Sequence, residues 1–122
     1  MNTNHRVLVV EDNPILLLDL CDQLIEFGYD PVPTSSAASA ARLLDQSISA
    51  LVTDIELGVG PDGLALARLA ARALPGLPIV VVSGGVYPKP SDLAPNAVFV
   101  PKPYSVAHIA AALERNAHVE AA

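Results

Sequence analysis

The chain has 122 residues, a formal net charge of −6, and 52% hydrophobic residues of which few are aromatic. This length fits one domain, 1–122, with an aliphatic, Ala-rich core, and the acidic balance argues against direct nucleic-acid binding and against anionic membrane surfaces. The lone Cys21 permits no internal disulfide and fits a reducing cytoplasm, and no apolar run reaches the length of a signal peptide or a membrane span.

Val7–Val10 is a continuous apolar run that predicts a central strand buried on both faces. It runs directly into Glu11 and Asp12. Asp12 or Asn13 then caps a helix with Pro14 in its first turn. That helix, ILLLDLCDQLIEF, places Ile15, Leu18, Cys21 or Leu24, and Ile25 on one face, and Gly28 ends it. YDPVPTS carries two prolines and reads as an edge strand. Ser36–Ser47 reads as an Ala-rich helix with Leu43 and Leu44 toward the core. Ala50–Thr53 is a second buried strand, ending at Asp54, and the loop ELGVGPDG follows. GLALARLAARAL is a helix stopped by Pro75 and Gly76. PIVVVSGG holds a third buried strand ending in Ser83. Pro88, Pro90 and Pro95 then break the pattern, so residues 84–96 read as an irregular, mobile connection with one short turn at most, around Ser91–Leu93. Ala97–Val100 is a fourth buried strand, ending at Pro101-Lys102-Pro103, and Ser105 caps a last helix to about Ala117.

This alternation predicts an α/β fold, a doubly wound five-stranded parallel sheet with helices on both faces. Ligands of such sheets sit beyond the carboxyl ends of the strands. Glu11, Asp12, Asp54, Ser83 and Lys102 all stand at those ends, delivered by four different strands. Three clustered carboxylates raise one another's pKa unless a cation lies among them, and a hard oxygen set of this kind suits Mg²⁺. Lys102 offers a point charge for a phosphate and Ser83 a hydroxyl. Asp54 is then placed to act as a nucleophile and become an aspartyl phosphate. His5, His108 and His118 are scattered without metal-ligand spacing. The Gly58–Gly63 loop lacks the residues of a phosphate cradle.

The ordered set VLVVEDN, TD at the end of the Ala50 strand, PDG eight residues later, VVVSG and VPKPY resembles a bacterial two-component response-regulator receiver domain (CheY-like) over nearly the whole chain. The resemblance implies a flavodoxin-like sheet in the order 2-1-3-4-5. It implies a phosphorylatable signalling switch: Asp54 accepts a phosphoryl group from a histidine kinase or a histidine phosphotransfer protein, and the change is passed to a downstream protein. Asp12 and Asp54 would bind Mg²⁺ directly with the Glu56 backbone carbonyl, and Glu11 through water. Ser83 would be the switch hydroxyl, Lys102 the phosphate partner, Phe99 the aromatic whose rotamer reports the state, and Lys102–Pro103 a cis peptide. Tyr87 is placed either to gate the site or to cover the sheet. The chain departs from common receivers in three ways. It lacks the Met-Pro after the acceptor, its IELGVGPDG loop is one residue longer, and the Ser83–Lys102 segment is several residues shorter. The last feature resembles a subgroup, some members stand-alone, whose fourth helix is short or absent.

The start at Met1 and the short tail read as a stand-alone domain, with a module cut from a larger regulator or hybrid kinase as the alternative. A small Mg²⁺-dependent phosphatase is disfavoured, because Ile55-Glu56 supplies no second Asp and the chain has no room for a cap domain. The expectation is therefore no enzyme beyond catalysis of its own phosphorylation and dephosphorylation. A module that has lost its chemistry is disfavoured by the complete set of acids, Ser and Lys.

Overall fold

The computed structural model describes residues 5–121, with side chains to Glu114. The elements are β1 (Arg6–Val10), α1 (Pro14–Glu26), β2 (Asp30–Thr34), α2 (Ala37–Leu43), β3 (Ala50–Asp54), α3 (Gly63–Ala73), β4 (Ile79–Ser83), a single 3₁₀ turn (Pro90–Asp92), β5 (Ala97–Pro101) and α4 (Val106–Ala121). All five strands pair in parallel in the order β2-β1-β3-β4-β5. The proline-bearing β2 lies at an edge, where an absent N–H donor costs least.

Alternation along the strands divides the core between two layers. Val7, Val9, Val52, Val80 and Val82 pack with Leu20 and Leu24 of α1 and Ile109 and Leu113 of α4. Leu8, Val10, Leu51, Ile79 and Val81 pack with Ala40 of α2 and Leu66, Ala67 and Ala70 of α3. Burial on both faces is why these strands are unbroken apolar runs.

Several local expectations are corrected. Of the expected face of α1, Cys21 and Leu24 are buried but Ile15, Leu18 and Ile25 are exposed, and Leu20 is buried in their place. The sequence ILLLDLCDQLI is apolar in more than one direction, so its spacing allowed two stripes; packing against the sheet and α4 selects the second. The helix after Ser36 stops at Leu43, well short of Ser47. Asp45 ends it by accepting hydrogen bonds from the Ser47 amide and hydroxyl, a local competitor to helical bonding. Leu43 is exposed, and Leu44 is half-buried against the core. The last helix continues to Ala121, past the expected end near Ala117. His5 and His108 are exposed, and the His118 side chain lies outside the described residues.

Candidate functional site

β1 ends by turning its backbone directly into α1. Asn13 caps the helix, its Oδ1 accepting from the Ile15 and Leu16 amides at 3.0 and 3.1 Å. This satisfies orphan amides of the first turn and leaves the Asp12 carboxylate out of the cap. Glu11 is buried, and its Oε2 accepts from the Asn13 amide at 3.0 Å. On β3, next to β1, Asp54 is only 5% exposed. One ligand oxygen from each of Glu11, Asp12 and Asp54 lies within 4.8 Å of the others.

The close approach of α3 fixes the depth of Asp54. A Cβ on Gly63 would stand 2.0 Å from the Asp54 carbonyl oxygen, inside backbone and not against a movable side chain. The Gly63 amide instead donates to the Ile55 carbonyl at 2.8 Å, while Asp62 caps α3 through the Ala65 amide. The glycine of the PDG motif therefore lets the helix abut the end of β3.

Lys102 follows β5, and the Lys102–Pro103 peptide is cis. Its Nζ donates to Asp54 Oδ2 at 2.9 Å and lies 3.5 Å from Glu11 Oε1. The other Asp54 oxygen, Oδ1, accepts from the Glu56 amide at 3.2 Å. Both Asp54 carboxylate oxygens are thus held. Burial of Lys102 opposes its charge, but the Asp54 hydrogen bond and the charges of Asp54 and Glu11 outweigh this and raise its pKa. Glu11 is also raised, first by burial and then by the Asp54 charge, against the opposing pull of the Asn13 amide and Lys102. One ammonium thus does not fully compensate the cluster.

Ser83, at the end of β4, is fully buried. Its Oγ donates to Glu56 Oε1 at 2.8 Å and accepts from the Gly85 and Val86 amides at 3.2 and 2.9 Å. Beyond it, the exposed Tyr87 ring meets half-buried Phe99 edge to face, with centroids 5.5 Å apart. The expected residues Glu11, Asp12, Asp54 and Lys102 converge, and Glu56 links Asp54 to Ser83. The contact between the Glu56 side chain and Ser83 is not among the sequence expectations. The Gly84-Gly85 pair after Ser83 was the available signal, since a Cβ on Gly85 would stand 2.7 Å from Glu56 Oε2.

No protein-family model matches the chain. A receiver protein from Sinorhizobium medicae WSM419, of response-regulator type, superposes with a TM-score of 0.89 at 31% identity, covering 95% of this chain and 96% of that one. The chain belongs to the response-regulator receiver family. A second receiver relative, from Anaeromyxobacter sp. (strain Fw109-5), is 34% identical over 106 residues. The chain spans 43% of the length of that curated relative. The receiver domain of the hybrid histidine kinase CckA shares the fold, with a TM-score of 0.75 at 23% identity over 92% of this chain and 98% of that one.

The receiver carries a donor set that fits a divalent cation. Three carboxylate oxygens converge, burial and mutual repulsion leave Glu11 under-compensated, and a Cβ on Gly58 would approach Asp12 Oδ2 to 3.3 Å, so the loop closes tightly over that carboxylate. Hard oxygen donors of this kind suit Mg²⁺. No helix among the described residues of the receiver is long and apolar enough to cross a membrane.

Proposed function

We propose that residues 1–122 form a single receiver domain that works as a phosphorylatable signalling switch in the cytoplasm. Asp54 accepts a phosphoryl group from a histidine kinase or a histidine phosphotransfer protein, and the modified surface is read by a downstream protein. The observation that carries this reading is the 2.9 Å contact from Lys102 Nζ to Asp54 Oδ2 beside the Glu11–Asp12–Asp54 cluster. It sets a cation against the one carboxylate that the neighbouring acids also face.

In the transfer, an Asp54 carboxylate oxygen attacks phosphorus. The P–N bond to the donor histidine breaks, its electron pair returns to the imidazole, and the imidazole takes up a proton. The Glu56 amide and Lys102 hold the Asp54 oxygens in place before attack, and Lys102 faces the charge that develops on the transferring group. Glu11, Asp12 and Asp54, with the Glu56 carbonyl, would hold Mg²⁺, which when bound neutralises the acids and draws charge from the phosphoryl oxygens. Ser83 supplies the hydroxyl that bonds a phosphoryl oxygen. Because its Oγ also holds the Gly85 and Val86 amides, its movement reaches Tyr87 and Phe99. Water then releases inorganic phosphate and restores Asp54.

The longer Anaeromyxobacter relative favours a second reading, in which a receiver of this kind is one part of a larger regulator. The chemistry at Asp54 is the same in both. Incubation with Mg²⁺ and acetyl phosphate tests the shared step by mass spectrometry. One phosphoryl group per chain is expected on the wild type and none on Asp54→Asn. Unmodified wild type, or equal labelling of the variant, overturns the reading.

A further inference from the structure

The hydroxyl of Ser83 has one proton and two lone pairs, and all three are in use. The proton goes to Glu56 Oε1, and the lone pairs take the Gly85 and Val86 amides. A fully buried hydroxyl with a saturated hydrogen-bond set serves a new acceptor only by giving up an old one. Glu56 is the partner it would give up, since the phosphoryl group is also an acceptor and competes for the same proton.

Gly85 independently shows how closely the loop approaches this carboxylate. A Cβ at that position would stand 2.7 Å from Glu56 Oε2, while its backbone lies outside the left-handed region. A side chain at position 85 would therefore have to displace the carboxylate from its present place. Glu56 is otherwise exposed, and its own amide holds Asp54 Oδ1. One residue thus touches the acceptor through its backbone and the switch hydroxyl through its side chain.

We propose that Glu56 is a latch on the Ser83 hydroxyl: its carboxylate holds the Ser83 proton and the Gly84–Val86 loop in the unphosphorylated form, and must be displaced for Ser83 to reach a phosphoryl group. Glu56 is a positioning residue here, acting through Ser83. The inference rests on Asp54 being the phosphoacceptor and goes beyond it by naming the contact that opposes the phosphorylated form.

The test is titration of the full chain with beryllofluoride in saturating Mg²⁺, followed by the Gly84, Gly85 and Val86 amide signals, together with hydrogen exchange of the Gly85 and Val86 amides in the free protein. Glu56→Ala is expected to bind beryllofluoride about tenfold more tightly than wild type, the scale of one lost charge-assisted hydrogen bond near the surface. It is also expected to exchange both amides faster without any ligand. Gly85→Ala pushes the flexible carboxylate aside and is expected to do the same, with no added gain in the Glu56→Ala background. In a Ser83→Ala background the gain from Glu56→Ala should vanish. A gain that survives there reports simple charge repulsion and overturns the latch, as does equal or weaker binding by Glu56→Ala. If wild type itself binds no beryllofluoride, the phosphoacceptor reading falls and the latch with it; if wild type binds and the variants do not differ, the latch alone falls.

Discussion

Lys102 Nζ stands 2.9 Å from Asp54 Oδ2 and 3.5 Å from Glu11 Oε1, so a single ammonium holds two carboxylates that are both almost entirely buried. Removing it leaves two desolvated acids facing each other, and breaking a buried pair from one side costs more than the pair itself contributes. Lys102→Met keeps most of the aliphatic stem. It is expected to lose about 1–2 kcal/mol of stability without divalent ions, a value reduced because the Lys102 side chain is 27% exposed. Urea midpoints measured with and without Mg²⁺ check this, and the ion should restore part of the loss. An unchanged midpoint in chelator would mean that water, and not the ammonium, compensates the acids.

Gly63 and Asp54 define a second constraint, one of space. A methyl group at position 63 would meet the Asp54 carbonyl oxygen at 2.0 Å and the Ile55 Cα at 2.9 Å. Neither can rotate away, so α3 must shift. Gly63→Ala is expected to cost about 3 kcal/mol, in the range of overpacking at a rigid contact, and to slow labelling of Asp54 by acetyl phosphate. Chemical denaturation and labelling rates should fall together. A variant that keeps wild-type stability would show that the helix start is free to move.

The strand ends were legible because four strands are short apolar runs that stop abruptly at polar residues. Glu11, Asp54, Ser83 and Lys102 mark those stops, and the parallel topology brings them to one edge. The prolines of residues 84–96 were equally legible, since each removes helix as an option; the outcome is a single 3₁₀ turn at Pro90–Asp92. The contact of Glu56 with Ser83 was not legible, because the two lie 27 residues apart and the room for the carboxylate lies beside the missing Cβ of Gly85. Nothing in local periodicity encodes such a contact. The buried face of α1 was legible only at Cys21 and Leu24, for a different reason: too many positions are apolar, so the pattern does not select one stripe.

That ambiguity makes α1 a place to measure. Leu24 is fully buried between the sheet and α4, whereas Leu18 is 64% exposed. Leu24→Ala is expected to cost about 3 kcal/mol through lost burial and a residual cavity. Leu18→Ala should stay within about 0.5 kcal/mol, as for surface substitutions in general. Calorimetric melting of the two variants separates the stripes directly. Equal losses would mean that Leu18 is covered in solution.

Tyr29 gives a prediction at the far end of the sheet. Its hydroxyl donates to Glu114 Oε2 at 2.9 Å, and burial, that hydrogen bond and the Glu114 charge raise its pKa from 10.0 to about 12. The sign follows from proton linkage. Between these values the folded chain keeps a proton that the unfolded chain has lost, so the contribution is full below pH 10 and disappears as pH rises through about 12. Tyr29 is partly exposed, and after discounting for solvent screening the contribution is about 1 kcal/mol. Tyr29→Phe should remove this part of the alkaline stability loss, flattening the urea midpoint between pH 10 and 12 relative to wild type. An identical alkaline slope in the two proteins would place the lost stability on other groups, with Tyr104, which burial also raises, the next to substitute.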